Sequence, residues 1–433
     1  MFSLQELTKK FINFHKLGCV CPVEGTAYDI ALFQSVYDLP FDHWNSVVGE
    51  EKLLLSIPYL AAMEAMPVQD MTYHYALVYS QTLPVAVFYF QEFDYKLADM
   101  NANVEVDKLN GAKSMFDKLK GSIASGFKNI NIRLLIGGNA YISGEYGFET
   151  IPTFPKDNFA AMLNNVVNKV ISTKKSGKKI FGVLVKDFDQ ENQKVQEDIV
   201  SQGYFKFTVD PNMTIKIPKG LQSFDDYMEL FSSKYRVRAK SYQKKFKGVV
   251  SEVFSLEQIV KHYDAIQKLY HNVEEKAGFN LLKVPEQYFI ELKKNLDEAF
   301  QFRAYFYEGQ MVGFAASFGW KNTLEANFVG LDYEYNQSLA IYQNMLYDFV
   351  NQAISSGYDI LNLGRTALEI KSTVGAEPDL MGLFVKSANP IYNRIVAPIF
   401  GNLKQTEWIQ RRPFREEKNE EVVGSEVKTS AQL

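Results

Sequence analysis

The stretch Ser356–Ala376, SGYDILNLGRTALEIKSTVGA, decides how the rest of the chain is read. Tyr358 to Leu363 form a short apolar strand that Gly364 breaks. Arg365 and Thr366 are delivered to its C-terminal end, a helical turn carrying Glu369 and Lys371 follows, and Gly375 closes that turn. In α/β architectures ligands sit beyond the C-terminal ends of strands, where the next loop presents free N–H groups. Arg365, Thr366 and Lys371 there suit the anionic part of a substrate, gripped at the mouth of a cleft. The structural alternative is an Arg tied to a carboxylate of its own chain, and Glu369 stands at the i+4 spacing for that.

Working outward, the spacing predicts a long helix over Leu339–Ser355, a strand over Thr323–Val329 and a hairpin over Ala304–Trp320 that turns at Glu308–Gly309. Before these come a strand near Val249–Phe254 and helices over Leu256–Glu275 and Pro285–Leu296. A last strand covers Asp379–Lys386. The first half opens with helical material, then repeats the order. A helix at Leu53–Ala65 precedes a hairpin of Tyr73–Ser80 and Leu83–Phe93, and a strand at Asn131–Ile136 follows helical character at Ala112–Lys120. A helix capped by Asp157 runs to Ser172, and a strand at Ile180–Val185, a helix ending at Gln202 and a strand through Ile217 complete the half. The hairpins overlay with Ala76 on Ala304 and Tyr79 on Tyr307. Pro218-Lys219-Gly220 reads as the boundary. The expectation is an α/β fold of the α+β mixed-sheet type, in two like modules. Residues 51–218 form the first and 219–415 the second, the catalytic one. Residues 1–50 are an extension packed on the first module, and 416–433 are a disordered tail.

A length of 433 residues fits two cores better than one, and 46% hydrophobic with 23% charged residues is a globular balance. The net charge of −4 gives no bulk attraction for nucleic acid. Cys19 and Cys21, one residue apart, read as reduced thiols, and the five His are scattered without ligand spacing, so no metal is expected. No signal peptide or run long enough to span a membrane is visible, which points to a cytoplasmic protein.

Three segments together resemble a known family. They are IPYLAAMEAMP followed by YHYALVYSQTLPVAVFYFQ, the basic SSKYRVRAKSYQKKFK, and the block from Phe328 to Ala376. The chain resembles the acyl-CoA N-acyltransferase (GNAT) superfamily, in its two-module, Fem-like branch of peptidoglycan biosynthesis and recognition proteins, over most of Leu53–Lys386. The resemblance implies a twisted mixed sheet in each module whose fourth and fifth strands splay apart, here Thr323–Val329 and Tyr358–Leu363. It implies acyl transfer to an amine of a small molecule or peptidoglycan precursor, with acyl-CoA as co-substrate. Alternatively, it implies a non-catalytic or aminoacyl-tRNA-dependent protein that recognises a cell-wall precursor. The family's pyrophosphate loop falls on Gln337, Ser338, Leu339 and Ala340, a stretch that departs from the pattern by having no glycine.

Glu325 and Asn327 alternate on one strand, so both face one side. There Glu325 suits a base for the amine, and the alternative is a solvated face. Tyr333 follows in the loop as a general acid or as packing. The run Lys234–Lys247 holds seven cations among Tyr235, Tyr242 and Phe246, which suits tRNA phosphates or an amphipathic helix with snorkelling lysines. A glycine-rich loop, Gly137–Phe148, marks either the matching cleft of the first module or a plain connection.

Overall fold

The computed structural model describes residues 20–415 except 51, 67, 69, 97–130, 145–146, 174–178, 190–191, 277–281, 390–392 and 394–404. The helix expected at Ala112–Lys120, Cys19, the start of the extension and the tail Glu416–Leu433 lie outside the described residues.

Among the described residues sixteen strands form two mixed sheets. In chain order they are β1 (Val20–Pro22), β2 (Tyr28–Phe33), β3 (Thr72–Ser80), β4 (Leu83–Lys96), β5 (Asn131–Gly137), β6 (Phe148–Thr150), β7 (Gly182–Asp189) and β8 (Phe205–Phe207), then β9 (Asn212–Lys216), β10 (Val250–Val253), β11 (Phe300–Tyr307), β12 (Gln310–Trp320), β13 (Thr323–Leu331), β14 (Ile360–Asn362), β15 (Glu377–Asp379) and β16 (Met381–Ser387). The first sheet runs β1-β2-β3-β4-β5-β7-β16-β8, with β6 beside β4, and the second runs β10-β11-β12-β13-β14-β9-β15. Among the described pairs only β5 with β7 and β13 with β14 are parallel. Of the opening segment, read from sequence as helical, the described residues supply β1 and β2 and then a helix over Phe41–Val48, and β2 pairs antiparallel with β3.

The sheets exchange strands. β9, from the first half, lies between β14 and β15 of the second sheet; β16, from the second half, lies between β7 and β8 of the first. Pro218 therefore marks a change of half in sequence but not in space.

The two hairpins show why the halves read alike. Gln81 (φ 58°) and Glu308 (φ 50°) begin two-residue turns in the left-handed region that matches strand twist. In each hairpin one extra residue bulges from the second strand at its third position, Val85 in β4 and Val312 in β12. Aligning turn and bulge places Ser80, not Tyr79, on Tyr307. The overlay from residue identity is thus one residue out of register, because Tyr matches carry less information than backbone geometry.

Helix Ile57–Ala65 starts where Ser56 accepts from Tyr59 N–H and a proline occupies its first turn. It packs on helix Tyr288–Leu296 from the other half. Tyr59 meets Phe318 edge-on at 6.1 Å, so one apolar core runs through both halves. The single helix expected over Leu256–Glu275 is two, Leu256–Lys261 and Tyr263–Lys276, joined at His262. The first carries a full capping box from Ser255 and Gln258.

Candidate active site

Each parallel pair stops short and its strands part. In the first sheet the last partners are Gly137 and Val185; in the second they are Glu325 and Asn362. Two residues further on, Asp187 and Gly364 both stand at φ 67°. The partings are equivalent places in the two modules, and they are built differently.

The first parting is filled by its own chain. Lys186 sends Nζ to the carbonyls of Asn139 (2.8 Å) and Ile142 (2.7 Å) and to Asp187 Oδ2 (2.8 Å). The glycine-rich loop after β5 turns its N–H groups inward: Ala140 donates to Gln91 Oε1, Tyr141 and Ile142 to Asn139 Oδ1, and Gly144 to Asp187 Oδ2. Asn139 and Asp187 are wholly buried. Burial alone would raise the Asp187 carboxyl, but Lys186 and Arg365 outweigh it and hold it below the ordinary range. Burial pulls the Lys186 ammonium down against the attraction of Asp187.

Arg365 comes to this filled parting from the other module. Its Nε donates to Asp210 O (2.8 Å), Nη1 to Ser143 Oγ (3.0 Å) and Nη2 to Asp187 Oδ1 (2.6 Å). Expected to grip a ligand, the guanidinium is instead committed to three groups of its own chain and ties the modules together. The carboxylate it pairs with is Asp187, not the i+4 Glu369, which Arg411 Nε reaches at 3.0 Å. Lys371 is likewise turned in. It is 3% exposed and donates to the carbonyls of Gly364 (3.2 Å) and Arg365 (2.6 Å). With no carboxylate partner among the described residues, burial pushes its ammonium down to about 7. Both residues support the loop from beneath rather than face its mouth.

That loop is strained. Thr366 (φ 70°) and Ala367 (φ 48°) follow Gly364 in the left-handed region, where a β-branched residue such as Thr is costly. The N–H groups of Arg365, Thr366 and Ala367 donate to no described group, and Thr366 is exposed.

The opposite wall of the second parting is β13. The ladder to β12 pairs Ala316 with Phe328 and Ser317 with Ala326, so Asn327 is the extra residue of a bulge. Its equivalent strand in the first module, β5, pairs with β4 without a register shift. Asn327 lies beside Glu325, with Nδ2 3.5 Å from Glu325 Oε2, and both side chains are half-buried. Across the parting, Asn327 Oδ1 lies 3.4 Å from where a Cβ on Gly364 would stand. Burial alternates along β13, so Glu325 and Asn327 lie on its half-buried face, the side the alternation in the sequence gives them.

The residues expected to cradle a pyrophosphate are not a loop. Asp332 caps a helix over Tyr333–Leu339 by accepting from Glu334 N–H, Ala340 takes φ 52°, and helix Ile341–Ser355 begins at once. Gln337 and Ser338 lie exposed inside the first helix, and Ser338 Oγ donates to Tyr335 O. Leu339 and Ala340 are buried. Tyr342 N–H, in the first turn of the second helix, is taken by Asn336 Oδ1 (2.9 Å). These residues do not fit the pyrophosphate of a coenzyme A. Tyr333 heads the short helix with Lys276 Nζ 3.3 Å from its ring centre, and burial raises its phenol.

Lys186, Asp187 and Asn362 escaped the sequence reading. The only signal was a Lys-Asp pair inside an otherwise apolar strand, GVLVKDFD. Among the described residues no cluster of His, Cys, Asp and Glu could hold a metal ion, and no helix is long and apolar enough to cross a membrane.

No family model and no curated protein sequence matches the chain. Among solved structures, FemX aligns at 12% identity over 82% of this chain and 98% of its own, with a TM-score of 0.51. A tandem GNAT protein from the clavulanic acid biosynthesis pathway aligns at 6% identity over 83% and 99%, with a TM-score of 0.47. A conserved protein of unknown function from Bacteroides thetaiotaomicron aligns at 11% over 81% and 95%, with a TM-score of 0.45. With two mixed sheets, each opening beyond one parallel pair, this chain has a two-module fold like that of FemX.

Proposed function

We propose that the chain transfers an acyl group to an amine, and that the reaction takes place at the parting of β13 and β14. The observation that carries this reading is the amide of Asn327 set beside the Glu325 carboxylate on the β13 wall of that parting, facing Gly364. Glu325 removes a proton from the acceptor ammonium, and the freed nitrogen attacks the acyl carbonyl carbon. Asn327 donates to the oxygen on which charge develops. Tyr333, its phenol raised by burial, keeps a proton to give to the leaving group. Arg365 and Lys371 act as positioning residues for the strained loop. The Fem-like fold makes a peptidoglycan-precursor amine the first acceptor to try.

The donor separates two readings. An acyl-CoA donor would need its pyrophosphate held elsewhere than at Gln337–Ala340. The helical form of Tyr333–Leu339 favours the second reading, an aminoacyl ester on tRNA. Both are tested by following amide formation with acetyl-CoA, longer acyl-CoAs and charged tRNA in turn, against a panel of amines. Glu325→Gln is expected to lower kcat about 100-fold or more with whichever donor works. An unchanged rate in that variant would remove Glu325 from the chemistry, and no turnover with any donor would overturn transfer itself.

A further inference from the structure

The basic run forms the helix Ser233–Lys245, followed by Lys247 and Gly248. Its aromatic residues are turned inward: Tyr235, Tyr242 and Phe246 pack on the core of the second sheet, and Phe246 lies 5.9 Å from Tyr305. Asn344 Nδ2 donates to Tyr242 O and pins the helix to Ile341–Ser355. What remains outside is cationic. Lys234, Arg238, Lys240, Lys244, Lys245 and Lys247 are all exposed, and none makes an ion pair with a described residue. Arg236 alone is paired, to Glu229 Oε2. No Asp or Glu occurs from Leu230 to Ser251, in a chain whose net charge is −4. Apolar side chains stand among the cations: Val237 is 68% exposed on the helix, and Val250, three residues beyond Lys247, is 66% exposed on edge strand β10.

We infer that this surface docks on an anionic lipid bilayer. A single-stranded nucleic acid would use aromatic platforms between its cations, and here those rings are spent on the core. Lysines on flexible stems with valines between them suit a diffuse plane of lipid phosphates, where each ammonium adds electrostatic attraction and each valine enters the headgroup layer. The acids that flank the run in sequence are Glu229, which is taken up by Arg236, and Glu252 on β10, past the stripe. The inference is independent of the transfer chemistry, since none of these residues lines the parting of β13 and β14.

The test is co-sedimentation of the full chain with phosphatidylcholine vesicles, with and without about one-third phosphatidylglycerol, in low salt. Binding is expected only to the anionic vesicles, and it should be lost in high salt. Replacing Lys240, Lys244 and Lys245 by Gln should weaken it about fivefold per residue. Their lack of ion pairs predicts an unchanged melting temperature, which serves as the folding control. Val237→Ser, which leaves the charge alone, should weaken it by a smaller factor. Absence of binding to anionic vesicles, or binding indifferent to the three glutamines, would overturn the inference. So would displacement of the chain from vesicles by a short single-stranded RNA at lower phosphate concentration, which would assign the surface to nucleic acid.

Discussion

The two modules carry the same opening in their sheets and treat it in opposite ways. Beyond Gly137 and Val185 the first is packed with a buried lysine, a buried aspartate and a loop whose N–H groups are consumed. Beyond Glu325 and Asn362 the second has a bulge, a carboxylate, an amide and a loop of unclaimed N–H groups. A duplicated fold does not imply duplicated chemistry. The filled parting has become the seat on which the second module's loop is held, because Asp187 anchors Arg365.

The severest way to break this contrast is to empty the filled side. Asp187→Ala leaves Lys186 and Arg365 without their shared carboxylate in a buried setting. It should cost about 3–5 kcal/mol, as for other broken buried pairs. Chemical denaturation measures it, and a loss below about 1 kcal/mol would mean that the clamp is not tight. A second variant tests the support of the second parting. Lys371 is charged in the unfolded chain across neutral pH, but in the fold burial pushes it down to about 7. Between pH 7 and 10 the unfolded state therefore binds more protons, and stability rises with pH. Lys371→Met should flatten that rise, and melts recorded at pH 7 and pH 9 would show an unaltered slope if Lys371 were not the source. The mildest change sharpens the site alone. Asn327→Ala removes the amide but leaves the backbone bulge, so transfer should slow about 10- to 100-fold while stability moves by less than about 1 kcal/mol. Equal losses in both would make Asn327 structural.

The hairpins and the long helix were legible because alternation, turn residues and helical spacing are local. Glu308-Gly309 announces its turn, and Ile341–Ser355 lies within two residues of the helix read from sequence. The bulge at Asn327 was not legible, since it exists only relative to the register of β12. Arg365 was found as important, but its partners Asp187 and Ser143 lie far back in the chain and belong to the other module. The helix Tyr333–Leu339 has a good cap in Asp332, but at seven residues it is too short for apolar periodicity to set it apart from a loop.

The exchange of β9 and β16 gives the molecule a schedule. On a ribosome, β7 and β8 emerge with the strand that belongs between them still some 180 residues from synthesis, as the positions of Phe207 and Ser387 show. At cellular elongation rates that is roughly ten to forty seconds of waiting. Throughout it β7 has one bare edge, able to pair with a neighbouring nascent chain. The Lys186–Asp187 segment of that strand then does two services: it blocks a cleft in the finished protein, and it places charge on an edge that must stay unpaired until its partner arrives.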